Sequence, residues 1–473
     1  MRYDSTLFGW FAALASGVLF MLSRDLGPVG PLVLLAPVPL LVFAMRSTRP
    51  LLVIACAFIG RALGMIPLLV TYAGSLPAAA LAAVVLLYAI EFAVIVLATR
   101  FVANRRAAWL AVLSFPLLST ASEYLLSVVS PHGSFGALGY SLVDVLPILQ
   151  LASIGGVTML SFMASLFSMT LAMLVARPED WRVTASIGAA PWLAATAFGM
   201  WRLEQPYDSS AHVALAAVDS LTMHAVAGEK NATSVAEDYA ALVRELGTAK
   251  PGLQFVVLPE KVFANRAGWD GKSLAILQEA SDQTGLTIVA GFDEDIDSGQ
   301  SNTARVLSPR APQQLYLKRR LIPGLESQFR PGSQSLVDAD HGVAICKDLD
   351  FPDLIRDYGR RQTRLLLVPA WDFVSDGRLH ARMALVRGVE NGSALARAAA
   401  MGRLTVSDAF GRVVAERVTD PSSATVLDTK VGLVTLQTVY VRFGDTFAWV
   451  VVAGALVCLA WAARRNKAQR THP

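Results

Sequence analysis

The pattern of apolar and polar positions divides the chain into three parts. Residues 1–202 are almost continuously apolar and are broken only by short basic or Pro/Gly connections, residues 205–440 mix charged, polar and apolar positions, and residues 447–463 are apolar again. A membrane-spanning helix needs about 20 mostly apolar residues. The pattern therefore predicts an N-terminal membrane domain over residues 1–204, a water-exposed domain over 205–440, and a C-terminal membrane helix with a basic tail over 441–473.

Eight apolar stretches are predicted to cross the membrane: 7–23, 29–45, 51–72, 76–99, 107–129, 146–176, 185–201 and 446–463. The connections at 46–49, 100–106 and 177–182 and the tail at 464–470 each hold at least two arginines, whereas those at 24–28, 73–75 and 130–144 hold one in total. Because Lys and Arg are retained on the cytoplasmic side, both termini are expected there. Seven crossings then place the 205–440 domain on the outer side.

The water-exposed part alternates short strand patterns with helical ones, which is typical of a layered α/β domain. Strands are predicted at 213–218, 254–258, 286–291, 303–307, 315–318, 342–346, 365–368, 403–407 and 412–415, and helices at 235–246, 274–284 and 379–399. Residues 408–411 are predicted to form the turn between the last two strands.

Composition agrees with a membrane protein and excludes several classes of site. The chain of 473 residues is 54% hydrophobic and 16% charged, against roughly 25% charged in soluble proteins. The net charge of +4 does not call for a nucleic-acid partner, since many basic residues flank the predicted spans. Three scattered cysteines do not make a disulfide framework or a metal cluster, and no nucleotide-binding loop occurs. We therefore predict no metal and no cofactor.

Three predicted strands of the exposed domain end in reactive groups. Glu260 follows a strand and a proline, Lys318 ends an alternating strand, and Cys346, the one cysteine outside the apolar parts, ends a third. Ligand sites gather at strand ends, and a base, a cation and a thiol together suit thiol acyl chemistry. In this interpretation Glu260 takes the thiol proton, Lys318 stabilises the oxyanion, and Cys346 forms a thioester. The helix that follows Cys346 is expected to stabilise a thiolate.

These motifs resemble the Glu-Lys-Cys triad of the nitrilase superfamily, and the membrane spans are similar to those of its apolipoprotein N-acyltransferase branch. The motifs are Leu258-Pro259-Glu260, Tyr316-Leu317-Lys318-Arg319-Arg320 and Ile345-Cys346-Lys347-Asp348, and the membrane part adds Glu123-Tyr124-Leu125 and Gln150-Leu151-Ala152-Ser153. His380, Met383, Arg387, Glu390, Gly392 and Arg397 resemble the family's helix after the nucleophile loop. The resemblance implies an α-helical membrane domain joined to an αββα sandwich.

The resemblance also implies roles and substrates. Glu260 would be the base, Lys318 the oxyanion stabiliser and Cys346 the nucleophile, with Glu326 and Asp348 as supporting residues. Candidate substrate-binding residues are Lys347, Trp371, His380 and Glu123. A phospholipid would give an acyl chain to Cys346, which would pass it to the N-terminal amine of a lipidated cysteine on an apolipoprotein. The expected location is the bacterial inner membrane, with the catalytic domain in the periplasm.

The chain also departs from the family pattern. Lys347 stands where the family usually has an aromatic residue. It is either a second cation, which lowers the pKa of the thiol or contacts a lipid phosphate, or a solvated surface lysine. Glu326 lacks the preceding Phe-Gly pair, and Trp371 lies in an altered loop. Two alternatives stay open: a membrane-tethered amidase that uses the same triad with water, and an inactive lipoprotein-binding scaffold. A transporter ranks last, because matching broken helices are not apparent.

Overall fold

The computed structural model describes residues 5–23, 27–105, 107–297, 299–338 and 340–469, with side chains up to residue 464. The described chain forms two compact units. One contains the residues up to 130, 134–203 and those from 443 onward, and the other contains 131–133 and 204–442. Whether the two behave as separate domains stays a prediction. Arg24, Arg106 and the last four residues, which contribute to the predicted charge bias, lie outside the described residues.

The first unit is helical. Its helices are α1 (Thr6–Ser23), α2 (Val38–Arg46), α3 (Pro50–Leu63), α4 (Ile66–Tyr72), α5 (Ala78–Ala103), α6 (Ala108–Val129), α7 (Leu146–Leu149), α8 (Ala152–Ala176) and α9 (Trp181–Leu203). The helices of the second unit are α10 (Glu229–Ala249), α11 (Lys272–Thr284), α12 (Pro352–Arg360) and α13 (Gly377–Asn391). Helix α14 (Val439–Phe443) ends at the boundary between the two units, and α15 (Thr446–Gln469) belongs to the first unit. Within the described residues, seven helical segments are long and apolar enough to cross a membrane.

The predicted span at 29–45 is the one that is not among these seven segments, whereas the span at 51–72 is, as α3 and α4 taken together (Pro50–Tyr72). The 29–45 span consists of a 3-10 turn, Gly30–Leu34, followed by α2, and the apolar segment Gly30–Arg46 is shorter than the other seven. Proline accounts for the break, because Pro37 lies between the two pieces and a proline lacks the N–H that continues a helix. That this segment crosses the membrane stays a prediction.

The second unit is built from two sheets. Its strands are β1 (Ser209–Val218), β2 (Phe255–Val257), β3 (Phe263–Asn265), β4 (Thr287–Ile296), β5 (Gly299–Leu307), β6 (Gln314–Leu317), β7 (Leu336–Asp338), β8 (His341–Val343), β9 (Leu365–Trp371), β10 (Ala394–Ala400), β11 (Arg403–Ser407), β12 (Val413–Val418) and β13 (Ala424–Leu433). The first sheet has the order β13-β1-β2-β4-β5-β6 with β3 beside β4, and the second has the order β12-β11-β10-β9-β8-β7.

The sheets face each other, and helices cover both outer faces. Along β1, Val213 and Leu215 point into the core between the sheets, while the alternate residues point toward α10 and α11. Along β9, Leu365 and Leu367 join the same central core, and Leu366 packs with α12 and α13. This is the αββα sandwich that was predicted.

The predicted helix over 379–399 is wrong in its second half. Helix α13 ends at Asn391, where Gly392 adopts the left-handed φ of 71° that terminates many helices. Residues 394–400 form β10, which runs parallel to β9 in the middle of the second sheet. The strand is buried on both faces, so it lacks polar alternation, and its alanines favour a helix by local propensity. Arg397 therefore lies on a strand.

Candidate active site

The turn after β2 positions Glu260. Its backbone N–H donates to the carbonyl of Ala370 at the end of β9, 3.1 Å away. The turn passes close to β4 because the facing residue there is Gly291: a Cβ at that position would lie 2.4 Å from the carbonyl oxygen of Pro259. The Glu260 side chain is thereby held in the interior, where it is almost fully buried.

Lys318 follows β6 on the inward face of the first sheet. Its backbone N–H donates to the carbonyl of Asn302 on β5, 2.9 Å away, which places the two side chains next to each other. Tyr316, two residues earlier, lies in the central core, and Lys318 shares its face. Its ammonium group is completely buried, so it must be paired with negative charge.

Two carboxylates and an amide meet that ammonium group. Lys318 Nζ lies 2.7 Å from Glu260 Oε1 and 2.9 Å from Glu326 Oε2. Asn302 Nδ2 donates to both carboxylates, at 2.6 Å to Glu260 and 2.8 Å to Glu326. A second lysine, Lys261, places its Nζ 2.9 Å from Glu326 Oε1. Together the five residues form a buried, charge-balanced cluster.

The charges of this cluster stabilise one another. Burial opposes the charge on Lys318, but Glu260 and Glu326 raise the pKa of its ammonium group above the ordinary value. Burial likewise opposes the charge on Glu326, but Lys318 and Lys261 lower the pKa of its carboxyl group to about 2. Lys318 is therefore a permanent cation and Glu326 a permanent anion at physiological pH.

Cys346 stands at a sharp turn after β8, at the start of the 3-10 turn Cys346–Asp350. Its φ is 40°, a value that residues other than glycine rarely adopt. The side chain is partly buried, and Sγ lies 3.6 Å from the carbonyl oxygen of Trp371. Glu260 and Lys318 lie close enough to alter its ionisation. The structure thus brings the three residues of the predicted triad into one site.

The surroundings of Cys346 oppose the predicted thiolate. Burial raises the pKa of the thiol above its ordinary value, and the negative charge of Glu260 raises it further. The charges of Lys318 and Arg397 act in the opposite direction. Desolvation therefore opposes the expected stabilisation by a helix N-terminus, and a base beside the thiol would promote its ionisation.

Asp348 fixes the backbone around Cys346 and does not join the charged cluster. Its carboxylate accepts from the backbone N–H groups of Ile345, Arg319 and Arg320, at 3.0, 3.1 and 2.8 Å, and from the Tyr316 hydroxyl, at 2.7 Å. Burial raises the pKa of this carboxyl to about 6, although these hydrogen bonds oppose the shift. Asp348 therefore ties the turn that holds Cys346 to the segment after β6.

Lys347 is not a solvated surface lysine, which corrects one of its two predicted interpretations. Its side chain is only 6% exposed, and Nζ lies 3.2 Å from Asp350 Oδ2 and 3.2 Å from His132 Nδ1. The adjoining Gly133 fits closely, since a Cβ there would lie 2.5 Å from the Asp350 carbonyl oxygen. Lys347 thus anchors the 131–133 segment to the turn that carries Cys346, and a role in substrate binding stays a prediction.

The loop after β9 closes another side of the site. Trp371 is partly buried at the strand end, and the next residue, Asp372, forms a buried ion pair with Arg397 of β10. His380 Nε2 lies 3.2 Å from Asp376 Oδ2. Burial opposes the imidazolium charge, but Asp376 raises the pKa of His380 above its ordinary value. Substrate binding by Trp371 and His380 stays a prediction.

Glu123 belongs to the helical unit. Its carboxylate accepts from the backbone N–H of Leu138, 2.7 Å away, and from the hydroxyl of Ser161. Gly139 N–H donates in turn to Ser161 Oγ at 2.8 Å. Glu123 therefore joins α6, the 138–142 segment and α8, and its predicted role in substrate binding stays untested.

Two cluster residues, Asn302 and Lys261, were not predicted from the sequence. Asn302 shares the strand face of the buried Ala304 and Val306, and a polar residue on a core-facing strand position is a detectable signal. Lys261 gives no such signal, because a lysine after Pro-Glu is usually solvated. Among the described residues, no group of three or more His, Cys, Asp or Glu side chains could hold a metal ion.

Comparison with known proteins gives two family matches. Residues 16–170 match a family model described as the apolipoprotein N-acyltransferase N-terminal domain, and residues 216–445 match the carbon-nitrogen hydrolase family model. The protein is thus a membrane protein with a carbon-nitrogen hydrolase domain in the nitrilase superfamily. It belongs to the apolipoprotein N-acyltransferase family, which is the membrane-embedded branch of that superfamily. The members of this family are enzymes of the acyltransferase class.

Individual relatives agree with the family matches. The chain is 27% identical to a Geobacter metallireducens protein named apolipoprotein N-acyltransferase, over 97% of this chain and 96% of the relative. A Shewanella oneidensis protein of the same name is 36% identical, but over only 27% of this chain and 24% of the relative.

Solved structures with similarity include Saccharomyces cerevisiae Nit3, with 18% identity, 48% of this chain covered, 91% of that chain covered and a TM-score of 0.40. An amidase from Nesterenkonia sp. is 20% identical, with 51% of this chain and 95% of that chain covered and a TM-score of 0.40.

Proposed function

We propose that the protein transfers an acyl chain from a phospholipid, through a thioester on Cys346, to the N-terminal amine of a lipidated cysteine on an apolipoprotein. The observation that carries the proposal is the buried cluster in which the Lys318 ammonium lies 2.7 Å from Glu260, with the Cys346 thiol close by. The part of the chain that the structure describes has seven helical segments apolar enough to span a membrane, which suits substrates whose acyl chains stay in the bilayer.

In the first half of the reaction, Glu260 accepts the proton of the Cys346 thiol as sulfur attacks the ester carbonyl. Lys318 donates a hydrogen bond to the oxyanion that develops, because a fixed cation in a dry site stabilises that charge strongly. The carbon–oxygen bond then breaks, and Glu260 returns its proton to the departing lysophospholipid oxygen. The enzyme is left as a thioester with an ionised Glu260.

In the second half, the acceptor amine attacks the thioester carbonyl. Glu260 removes a proton from the attacking nitrogen, and Lys318 again stabilises the oxyanion. The carbon–sulfur bond breaks, the sulfur recovers its proton from Glu260, and an amide is released. Both halves use the same base and the same cation, so the resting charge of the cluster is restored after each turnover.

The proposal is tested by the fate of the acyl group. Purified full-length protein is incubated with a phospholipid and a short peptide whose N-terminal cysteine carries a diacylglyceryl group, and products are measured by mass spectrometry. We expect an N-acylated peptide and a lysophospholipid in equal amounts. The same peptide with an acetylated N-terminus is the control, since it lacks the nucleophilic amine.

The amidase alternative predicts another outcome of the same experiment. A hydrolase would release free fatty acid at the same rate with either peptide, because water would be its acceptor. Release of fatty acid without N-acylated peptide would contradict the transferase proposal. An inactive scaffold would produce neither product and would leave the phospholipid unchanged.

We further propose that the enzyme is located in the bacterial inner membrane with its α/β unit on the periplasmic side. The arginine distribution supports this orientation, since the connections predicted to be cytoplasmic hold most of the arginines. Lipidated cysteines with a free amine would then meet the site on the side to which lipoproteins are exported.

A further inference from the structure

Lys261 is a second lysine in the candidate site, and the proposed mechanism does not use it. It directly follows Glu260 and adopts a φ of 55°, which is uncommon for a residue with a side chain. This left-handed turn directs the side chain back into the site instead of toward solvent, and only 16% of the side chain is exposed. An outlying backbone conformation at such a place is a reason to look for a function.

The ammonium group of Lys261 has specific surroundings. Nζ lies 2.9 Å from Glu326 Oε1 and 3.9 Å from Glu260 Oε1. It also lies 5.1 Å from the ring centre of Trp371 and 5.5 Å from that of Phe329, distances at which a cation is attracted to an aromatic face. Two aromatic rings and a carboxylate therefore hold the charge in one position.

A count of charges shows what this lysine changes. Glu260 and Glu326 contribute two negative charges to the cluster, and Lys318 with Lys261 contributes two positive ones, while Asn302 is neutral. Without Lys261, two buried carboxylates would share one ammonium group. Like charges that share a buried site disfavour each other's ionised forms, and a surplus negative charge would also oppose formation of a thiolate at Cys346.

We propose that Lys261 is a positioning residue that balances Glu326 and so leaves Lys318 for Glu260 and the reacting thiol. The inference rests on the proposed thiol chemistry, but it does not depend on which molecule donates the acyl chain. Lys261 acts through Glu326 and the net charge of the site, so its removal makes the Cys346 thiolate harder to form.

The test measures the rate at which iodoacetamide alkylates Cys346 between pH 6 and pH 10, by intact mass, in purified full-length protein in detergent. Cys346→Ala gives the background from Cys56 and Cys458. For Lys261→Met we expect the profile to move to higher pH by about one unit, which is a tenfold slower reaction on the rising limb. Lys261→Arg keeps the charge and should stay close to the wild-type profile. Lys272→Met, an exposed lysine beside Asp270, is the control for loss of a lysine elsewhere.

The decisive variant is the double substitution Lys261→Met with Glu326→Gln. It restores the net charge of the cluster and is expected to return the profile toward that of the wild type. If Lys261 served packing alone, removing the Glu326 carboxylate would not restore the alkylation profile. An unmoved profile for Lys261→Met, or a double variant that stays shifted, would overturn the inference.

A third variant keeps the inference testable if Lys261→Met does not fold. Glu326→Gln alone leaves the cluster with one surplus positive charge, so its alkylation profile should move to lower pH, and an unchanged profile would overturn the inference. Acyl-enzyme formation from phospholipid is measured in parallel on the wild type. If no acyl-enzyme forms while the alkylation profiles shift as expected, phospholipid is excluded as the acyl donor and the proposed role of Lys261 stands.

Discussion

At the scale of single residues, Cys346 combines a strained backbone with a thiol that resists ionisation. Its φ of 40° is unfavourable for any residue with a Cβ, by roughly 1–2 kcal/mol. Asp348 holds the turn in this shape with hydrogen bonds from three backbone N–H groups. Strain of this kind persists where the surrounding structure fixes it, and here it presents Sγ to the charged cluster.

The strain predicts an unusual effect of glycine. Because glycine tolerates a positive φ, Cys346→Gly should unfold at a higher temperature than Cys346→Ala, with a gain of about 1 kcal/mol. Ala344→Gly is the matched control: Ala344 is buried next to β8 and its φ is not positive, so glycine should lower stability there. Thermal unfolding of the three variants checks this. A Cys346→Gly variant that is less stable than Cys346→Ala would contradict the strained turn.

Substitutions of Glu260 and Lys318 are predicted to shift the pH dependence of Cys346 alkylation in opposite directions. The negative charge of Glu260 raises the pKa of Cys346 and the positive charge of Lys318 lowers it. Below its pKa the thiol is neutral, and its alkylation rate rises about tenfold per pH unit until the pKa is passed. Glu260→Gln should therefore move the alkylation profile to lower pH, and Lys318→Met should move it to higher pH.

Glu260→Gln should nevertheless lose acyl transfer, because glutamine cannot accept the thiol proton. In a variant that unfolds at the wild-type temperature, faster alkylation together with lost transfer separates a base from a residue that merely maintains structure. Transfer at the wild-type rate in Glu260→Gln would exclude Glu260 as the base. Thermal unfolding of the same purified protein controls for folding, because an unfolded chain would also expose the thiol and alkylate faster.

At the scale of strands and helices, the pair Asp372–Arg397 joins the end of β9 to β10 beside the site. Both side chains are almost completely buried. Breaking a buried pair by removing one partner leaves an uncompensated charge, which costs about 3–5 kcal/mol. Arg397→Met should therefore lower the unfolding temperature strongly. Lys250→Met, which breaks the more exposed pair with Asp428, should cost about 0–1 kcal/mol; equal losses in the two variants would contradict this ranking.

Helix α10 could be predicted because its buried and exposed residues repeat with a period of 3.6. Strand β1 is buried over most of its length and could be predicted as a short apolar run, without alternation of buried and exposed residues. Strand β10 is likewise buried on both faces, but it was misassigned because its alanines favour a helix, and only its neighbours in the sheet make it a strand. Strand β13 was missed; it pairs with β1 from the far end of the chain.

The candidate site was predictable only in part for the same reason. Glu260, Lys318 and Cys346 could be found because each closely follows a strand and carries a distinctive group. Asn302 meets them only through the pairing of β5 with β6, and Lys261 only through a left-handed turn. Neither the strand register nor that turn can be read from local sequence.

At the scale of the whole molecule, the number of membrane crossings decides the location of the N-terminus. Eight crossings, including Gly30–Arg46, place both termini on the same side of the membrane. If Gly30–Arg46 does not cross, the seven longer helices place the termini on opposite sides. We predict eight, because residues 29–45 hold no charged residue and are as continuously apolar as the other predicted spans. A small epitope at either end, probed in sealed spheroplasts, checks this, and an accessible N-terminal epitope would contradict eight crossings.

The central claim is that Cys346 carries the acyl chain, and intact-mass spectrometry of the purified protein tests it most directly. After incubation with phospholipid, the account predicts a mass increase of one fatty acyl chain that is removed by hydroxylamine, as a thioester would be, and that is absent in Cys346→Ala. A folded protein that alkylates at Cys346 but gains no acyl chain, or an adduct that survives in Cys346→Ala, would contradict it.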